Sequence, residues 1–177
     1  MTDAERELAI EHLIDGRDAL LAAIADVSEA QVLFKPDAER WSIAECTEHV
    51  AITGDALLAL LKRGVANPQG VALEPEKYGR LAEALVNRSR RFPAPESIRP
   101  TGRFASIADA RAHFLEGHEQ AMAYSLQCQL DLRRHFTVHP LLGEIDCFRC
   151  LLLLALHPAR HAAQIGEIKL DPGFPKQ

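Results

Sequence analysis

Two histidines stand four residues apart near the end of this chain, His157 and His161, and a neutral imidazole can bind a metal ion or move a proton. On a straight helix each residue turns by about 100°, so Cys147, Cys150, Leu154, His157, His161, Ile165 and Ile168 share an arc of about 80°. The apolar members mark that arc as a buried face, and both imidazoles point inward with them. Spacing of i and i+4 sets two Cβ atoms about 5–6 Å apart, close enough for two rings to grip one ion. The same arithmetic groups His49 with Glu45, Cys46, Ile52, Thr53, Ala56 and Leu60, so His49 also faces a core. Two readings stay open on these grounds: a metal site, or buried imidazoles each satisfied by a hydrogen bond of its own. The metalloprotease pattern H-E-x-x-H is excluded, because Pro158 follows His157.

The elements that must position these rings are helical. Thr2-Asp3-Ala4-Glu5 fits a capping box and predicts a first helix over residues 3–26, its apolar face marked by Leu13, Leu20, Ile24 and Val27. Ser28-Glu29-Ala30-Gln31 opens a short turn that Lys35-Pro36 ends. Ser42-Ile43-Ala44-Glu45, directly after Trp41, starts a second long helix to about Arg63, closed by Gly64 and Asn67-Pro68-Gln69-Gly70. Residues 64–105 read as a long connection carrying one shorter helix, Pro75 to Phe92. Ser106-Ile107-Ala108-Asp109 opens a third long helix to Gln129, and a basic connection from Arg133 to His139 leads to Pro140-Leu141-Leu142-Gly143. The last long helix is expected from Glu144 until just before Pro172. No stretch sustains the apolar–polar alternation of a strand. The expectation is an all-α fold: a single-domain four-helix bundle over residues 1–177, with a long crossover connection between its second and third helices carrying the short extra helix.

Composition sets outer bounds. The 177 residues are 47% apolar and 25% charged, as in an ordinary globular protein. Twenty basic against 25 acidic residues give a net charge of −5, which argues against coating nucleic acid or an anionic membrane. The longest apolar run, Leu151 to Leu156, falls well short of the ~20 residues of a membrane span. The acidic start Met1-Thr2-Asp3-Ala4-Glu5 is unlike a signal peptide, and the four cysteines are too few for a disulfide scaffold. A cytoplasmic protein acting on a small molecule is therefore expected, and a homodimer paired through an exposed helix face is compatible with such a bundle.

Three stretches together resemble the DinB/YfiT-like superfamily. Trp41-Ser42-Ile43-Ala44-Glu45 followed by His49 is similar to its W-S-x-x-E-x-x-x-H stretch. Pro140-Leu141-Leu142-Gly143 resembles its P-x-x-G turn, and His157-Pro158-Ala159-Arg160-His161-Ala162-Ala163-Gln164-Ile165 its H-x-x-x-H-x-x-Q-I helix. The resemblance covers most of the chain, from about Leu8 to Ile168. It implies a four-helix bundle binding one divalent metal, nickel or zinc most often, through three histidines, which here are His49, His157 and His161. It further implies a relation to enzymes that use a low-molecular-weight thiol as cosubstrate, and neither polymerase activity nor DNA binding. Three protein ligands with an open position are the catalytic arrangement rather than the structural one. The open position could lower the pKa of a water or hold a thiol as thiolate, giving a metal-dependent hydrolase or a thiol-dependent transferase. No further catalytic residue can be named. The alternative is a non-catalytic helical binding or dimerisation module without a functional metal.

Other residues carry weaker signals. Pro158 removes one helical hydrogen bond and crowds the Leu154 carbonyl, so a kink or a helix restart there would swing His157 away from His161. Glu45 could orient the His49 ring from one turn away, although its place in the capping box explains it as well. Gln164, one turn past His161, could hydrogen-bond near the site, and Arg160 is expected to pair between helices. Cys147-Phe148-Arg149-Cys150 has C-x-x-C spacing but lies inside a helix, so both read as small buried hydrophobes. The Arg88, Arg90, Arg91, Arg99 and Arg103 series reads as a solvated face, His135 and His139 as surface residues, and His113 and His118 as not stacked on one face.

Overall fold

Helix starts follow the capping signals. In the computed structural model, which describes residues 1–66, 88 and 93–176, Thr2 and Glu5 form a reciprocal capping box that opens α1 (Asp3–Ala23). Ser28 and Gln31 do the same for the short α2 (Glu29–Leu33), and Ser42 and Glu45 for α3 (Ile43–Val65). The Ser106 hydroxyl accepts from the Asp109 N–H to start α4 (Ile107–Gln127). Asp146 accepts from the Arg149 N–H at 2.8 Å to start α5 (Cys147–Lys169). The short helix expected over 75–92 lies outside the described residues, apart from Arg88.

The four long helices close a ring of neighbours: α1 packs on α5 and α4, and α3 packs on the same two. The tightest approach is between α1 and α5. A Cβ on Gly16 would lie 2.4 Å from the Ala155 carbonyl oxygen, so only glycine lets these two backbones meet. One part of the core gathers Leu13, Leu61, Phe148, Leu151 and Leu152; a second gathers Leu20, Ile43, Val50, Phe114, Ile165 and Ile168. Each such side chain contributes about 1.5–3 kcal/mol by leaving water. α5 runs through both parts, and His157 and His161 stand on it between them.

One feature departs from the expected architecture. Phe136–His139 and Gly143–Asp146 form an antiparallel pair, β1 and β2, with Phe136 opposite Asp146 and His139 opposite Gly143. The strand-free reading is corrected accordingly, and the last helix begins at Cys147 rather than Glu144. Four residues per strand are too few to show a period of two. The pair forms because Phe136, Thr137, Ile145 and Asp146 are buried against α3 and α5, while Gly143, at φ +71°, supplies the left-handed turn. The question left open at Pro158 is answered by a continuous helix: α5 runs unbroken through it, so no restart separates His157 from His161. Among the described residues, no helix is long and apolar enough to cross a membrane.

Candidate metal centre

The three inward histidines meet. α3 presents His49, buried two turns after its capping box, and α5 presents His157 and His161 across from it. Ring centroids are 5.1 Å apart for His49 and His157, 4.7 Å for His49 and His161, and 4.5 Å for His157 and His161. One ring nitrogen from each lies within 4.8 Å of the other two. His49 Nε2 and His157 Nε2 are 3.2 Å apart.

Hydrogen bonding fixes how one of these rings is presented. His49 Nδ1–H donates to the Ile98 carbonyl at 2.7 Å, and Ile98 closes a 3-10 turn (Glu96–Ile98) just before α4. A neutral imidazole that donates from Nδ1 carries its lone pair on Nε2, the nitrogen facing His157. His161 Nδ1 is buried and has no hydrogen-bond partner among the described residues. An orphaned imidazole nitrogen in an apolar bundle is uncommon, and it sets this ring apart from the hydrogen-bonded His49.

Electrostatics keep the rings in the form that binds metal. Burial pushes His49 below its usual pKa, against the opposing effect of the Ile98 hydrogen bond. Burial pushes His157 and His161 well below theirs, reinforced by the neighbouring histidines and by Arg160. All three are therefore neutral near pH 7, and a set of three imidazoles suits a borderline dication with coordination left over. Trp41 walls the cluster, its ring 4.7 Å from His49 and stacked 6.1 Å from His161 at 21°. The cluster opens into a cavity of about 760 Å³, lined also by Arg88, Arg160, Gln164, Leu141 and Leu142.

The remaining expected residues sort by what they touch. Glu45 is occupied elsewhere: its carboxylate accepts from the Ser42 N–H at 2.8 Å and pairs with Lys35 at 3.0 Å, while the Ile98 carbonyl holds His49. Gln164 lines the cavity, and its side-chain oxygen accepts from Arg88 at 3.0 Å. Arg88 also makes a two-pronged bond to Glu167, so it is part of a fixed network rather than a solvated face. His139 is half-buried at the cavity edge, its Nδ1 accepting from the Leu141 and Leu142 N–H groups, and is not a plain surface residue. His118 donates to the Leu13 carbonyl at 3.0 Å and His113 pairs with Asp55 at 2.7 Å; neither belongs to the cluster. Cys147 and Cys150 are fully buried, as small hydrophobes would be. Sequence reasoning missed Ile98, which acts through its carbonyl and so leaves no side-chain signal. It also missed the buried carboxylate of Glu48.

Comparison with known proteins gives consistent findings. The family model of the DinB superfamily matches residues 12–165. The chain is 24% identical over 143 residues to the uncharacterized protein YuaE of Bacillus subtilis (strain 168), spanning 81% of this chain and 86% of that one. It is also similar in structure to YfiT from Bacillus subtilis, described as a probable metal-dependent hydrolase with an unusual four-helix bundle topology. That likeness has a TM-score of 0.67 at 17% identity, covering 99% of this chain and 91% of YfiT.

Proposed function

The chain belongs to the DinB superfamily, and from that premise we propose that His49, His157 and His161 hold one divalent ion, zinc or nickel, for chemistry on a small molecule in the adjoining cavity. The observation that carries this reading is the convergence of three neutral imidazole nitrogens within 4.8 Å, one of the rings having a buried Nδ1 with no partner among the described residues. When bound, the ion supplies Lewis acidity at an open coordination position, drawing the pKa of a water or a low-molecular-weight thiol down toward neutrality. Hydrolysis is favoured as the reaction class by the description of YfiT; thiol transfer uses the same site with a different nucleophile.

The chain's own groups supply the rest. Ile98 keeps the His49 proton on Nδ1, so its Nε2 is free to ligate. Trp41 shields one side of the cluster from water, and a drier site strengthens every charge interaction within it. Arg160 lends positive charge to the cavity wall, which would stabilise negative charge developing on a substrate. A cavity of about 760 Å³ is of the size that encloses a small organic molecule.

Elemental analysis of purified protein, beside His49→Ala and His161→Ala, tests the reading. Near-stoichiometric divalent metal in the wild type, absent from both variants, is expected. A wild type that stays metal-free after reconstitution with zinc and with nickel would sink the proposal and leave a helical binding module.

A further inference from the structure

Glu48 precedes His49 on α3 and is buried, yet neither capping nor packing explains its charge. A buried carboxylate is costly unless several donors satisfy it. Here three backbone N–H groups converge on it: Thr101 at 2.8 Å and Arg103 at 3.2 Å donate to Oε1, and Gly102 at 2.9 Å donates to Oε2. Gly102 sits at φ +76°, a left-handed conformation that disfavours other residues. The Arg103 guanidinium, 4.0 Å from Oε1, reaches back to the Ser97 carbonyl at 3.0 Å and the Thr101 hydroxyl at 3.3 Å. Residues 97–103 are thus fastened to α3 through one side chain. Within that segment lies Ile98, whose carbonyl accepts the hydrogen bond from His49 Nδ1–H.

We propose that Glu48 is a positioning residue for the histidine cluster: by fastening the 97–103 segment to α3, it holds the Ile98 carbonyl on His49 and keeps that imidazole in its Nδ1–H tautomer. A neutral imidazole in water samples both tautomers. The wrong one would aim an N–H, not a lone pair, at His157 and His161. The consequence for metal affinity rests on the function proposed above; the consequence for the tautomer stands without it. Hydrogen-bond partners behind a ligating histidine typically change metal affinity about 10–100-fold when they are lost.

The test compares wild type, Glu48→Gln and Arg103→Ala by two readouts. One is the nitrogen-15 spectrum of the histidine rings in metal-free protein, which reports the tautomer of His49. The other is zinc affinity, measured by competition with a chromophoric chelator. Glutamine keeps the shape of Glu48 but offers one acceptor oxygen and turns an NH2 toward the loop's donors. Glu48→Gln is expected to populate the Nε2–H tautomer of His49 and to bind zinc about tenfold more weakly. Arg103→Ala, which leaves the core untouched, should shift both readouts less, in the same direction. His49 remaining wholly Nδ1–H in both variants, with unchanged zinc affinity, would overturn the proposal. Should Glu48→Gln fail to fold, an unshifted tautomer in Arg103→Ala overturns it alone. A wild type that binds no zinc, with a tautomer that still responds to Glu48→Gln, would remove the metal reading and uphold the coupling.

Discussion

α5 carries two pairs of metal-seeking side chains on one face, Cys147 and Cys150 at its start and His157 and His161 near its middle, and burial treats them oppositely. Desolvation penalises the charged form in both places. For the cysteines that form is the thiolate, so burial pushes both thiols up to about 12. They stay protonated, with Cys150 Sγ 3.5 Å from the Leu57 carbonyl and Cys147 Sγ 3.9 Å from that of Leu61. For the histidines the charged form is imidazolium, and its loss exposes the lone pair that ligates. The same dry environment silences a thiol and readies an imidazole. Residue type and spacing make the two pairs look alike; the sign of the charge that burial removes separates them.

The contrast can be broken most forcefully by truncation. Leu151→Ala, at the thiol end, should lower stability by about 2–5 kcal/mol in urea unfolding while leaving the metal stoichiometry of the folded fraction intact. His161→Ala should do the reverse, abolishing metal binding with a smaller loss of stability in metal-free protein. Equal destabilisation by the two would erase the distinction between a packing end and a chemical end.

Of the two ends of α5, acid probes the histidine end, together with His118 and His139, which burial also pushes below their ordinary pKa. The three imidazoles have folded pKa values below the ordinary one, so below about pH 6.5 the unfolded chain takes up protons that the folded chain refuses. Stability of metal-free protein is unaffected by them at higher pH. It should then fall as pH drops, by about 1.4 kcal/mol per pH unit for each histidine that stays neutral. Urea midpoints from pH 8 to pH 5 would show this, and His161→Ala should flatten the slope. A slope that the variant leaves unchanged would mean that other groups cause it.

The smallest effect is expected at the cysteines. Cys150→Ala should lower stability by about 1 kcal/mol, the loss of one buried apolar-sized atom, and leave bound metal unchanged. A drop in metal content would place that thiol in the site and contradict its burial as an inert group.

Much of this was readable in the residues. Thr2 with Glu5, Ser28 with Gln31 and Ser42 with Glu45 open the helices they signal, because a cap is a local contact between residues three apart. His49, His157 and His161 come together as their helical phase predicts, since phase alone sets which side of a helix a residue faces. The β1–β2 pair was not legible, because it is held by burial against α3 and α5 rather than by its own pattern. Nor was the Glu48 loop anchor: its partners are 53 to 55 residues away, and they are backbone groups that every residue possesses.

Trp41 gives the cluster a property beyond shielding. It is the sole tryptophan of the chain, and its indole rests against two of the three imidazoles. Excited beyond the absorption of the two tyrosines, the ultraviolet emission of this protein therefore comes from one emitter seated at the site. An open-shell ion such as nickel would darken it, a closed-shell ion such as zinc would only shift its colour, and a protonated imidazole in contact would dim it. Occupancy, class of ion and protonation can each be followed as light from a single native residue, with no label attached.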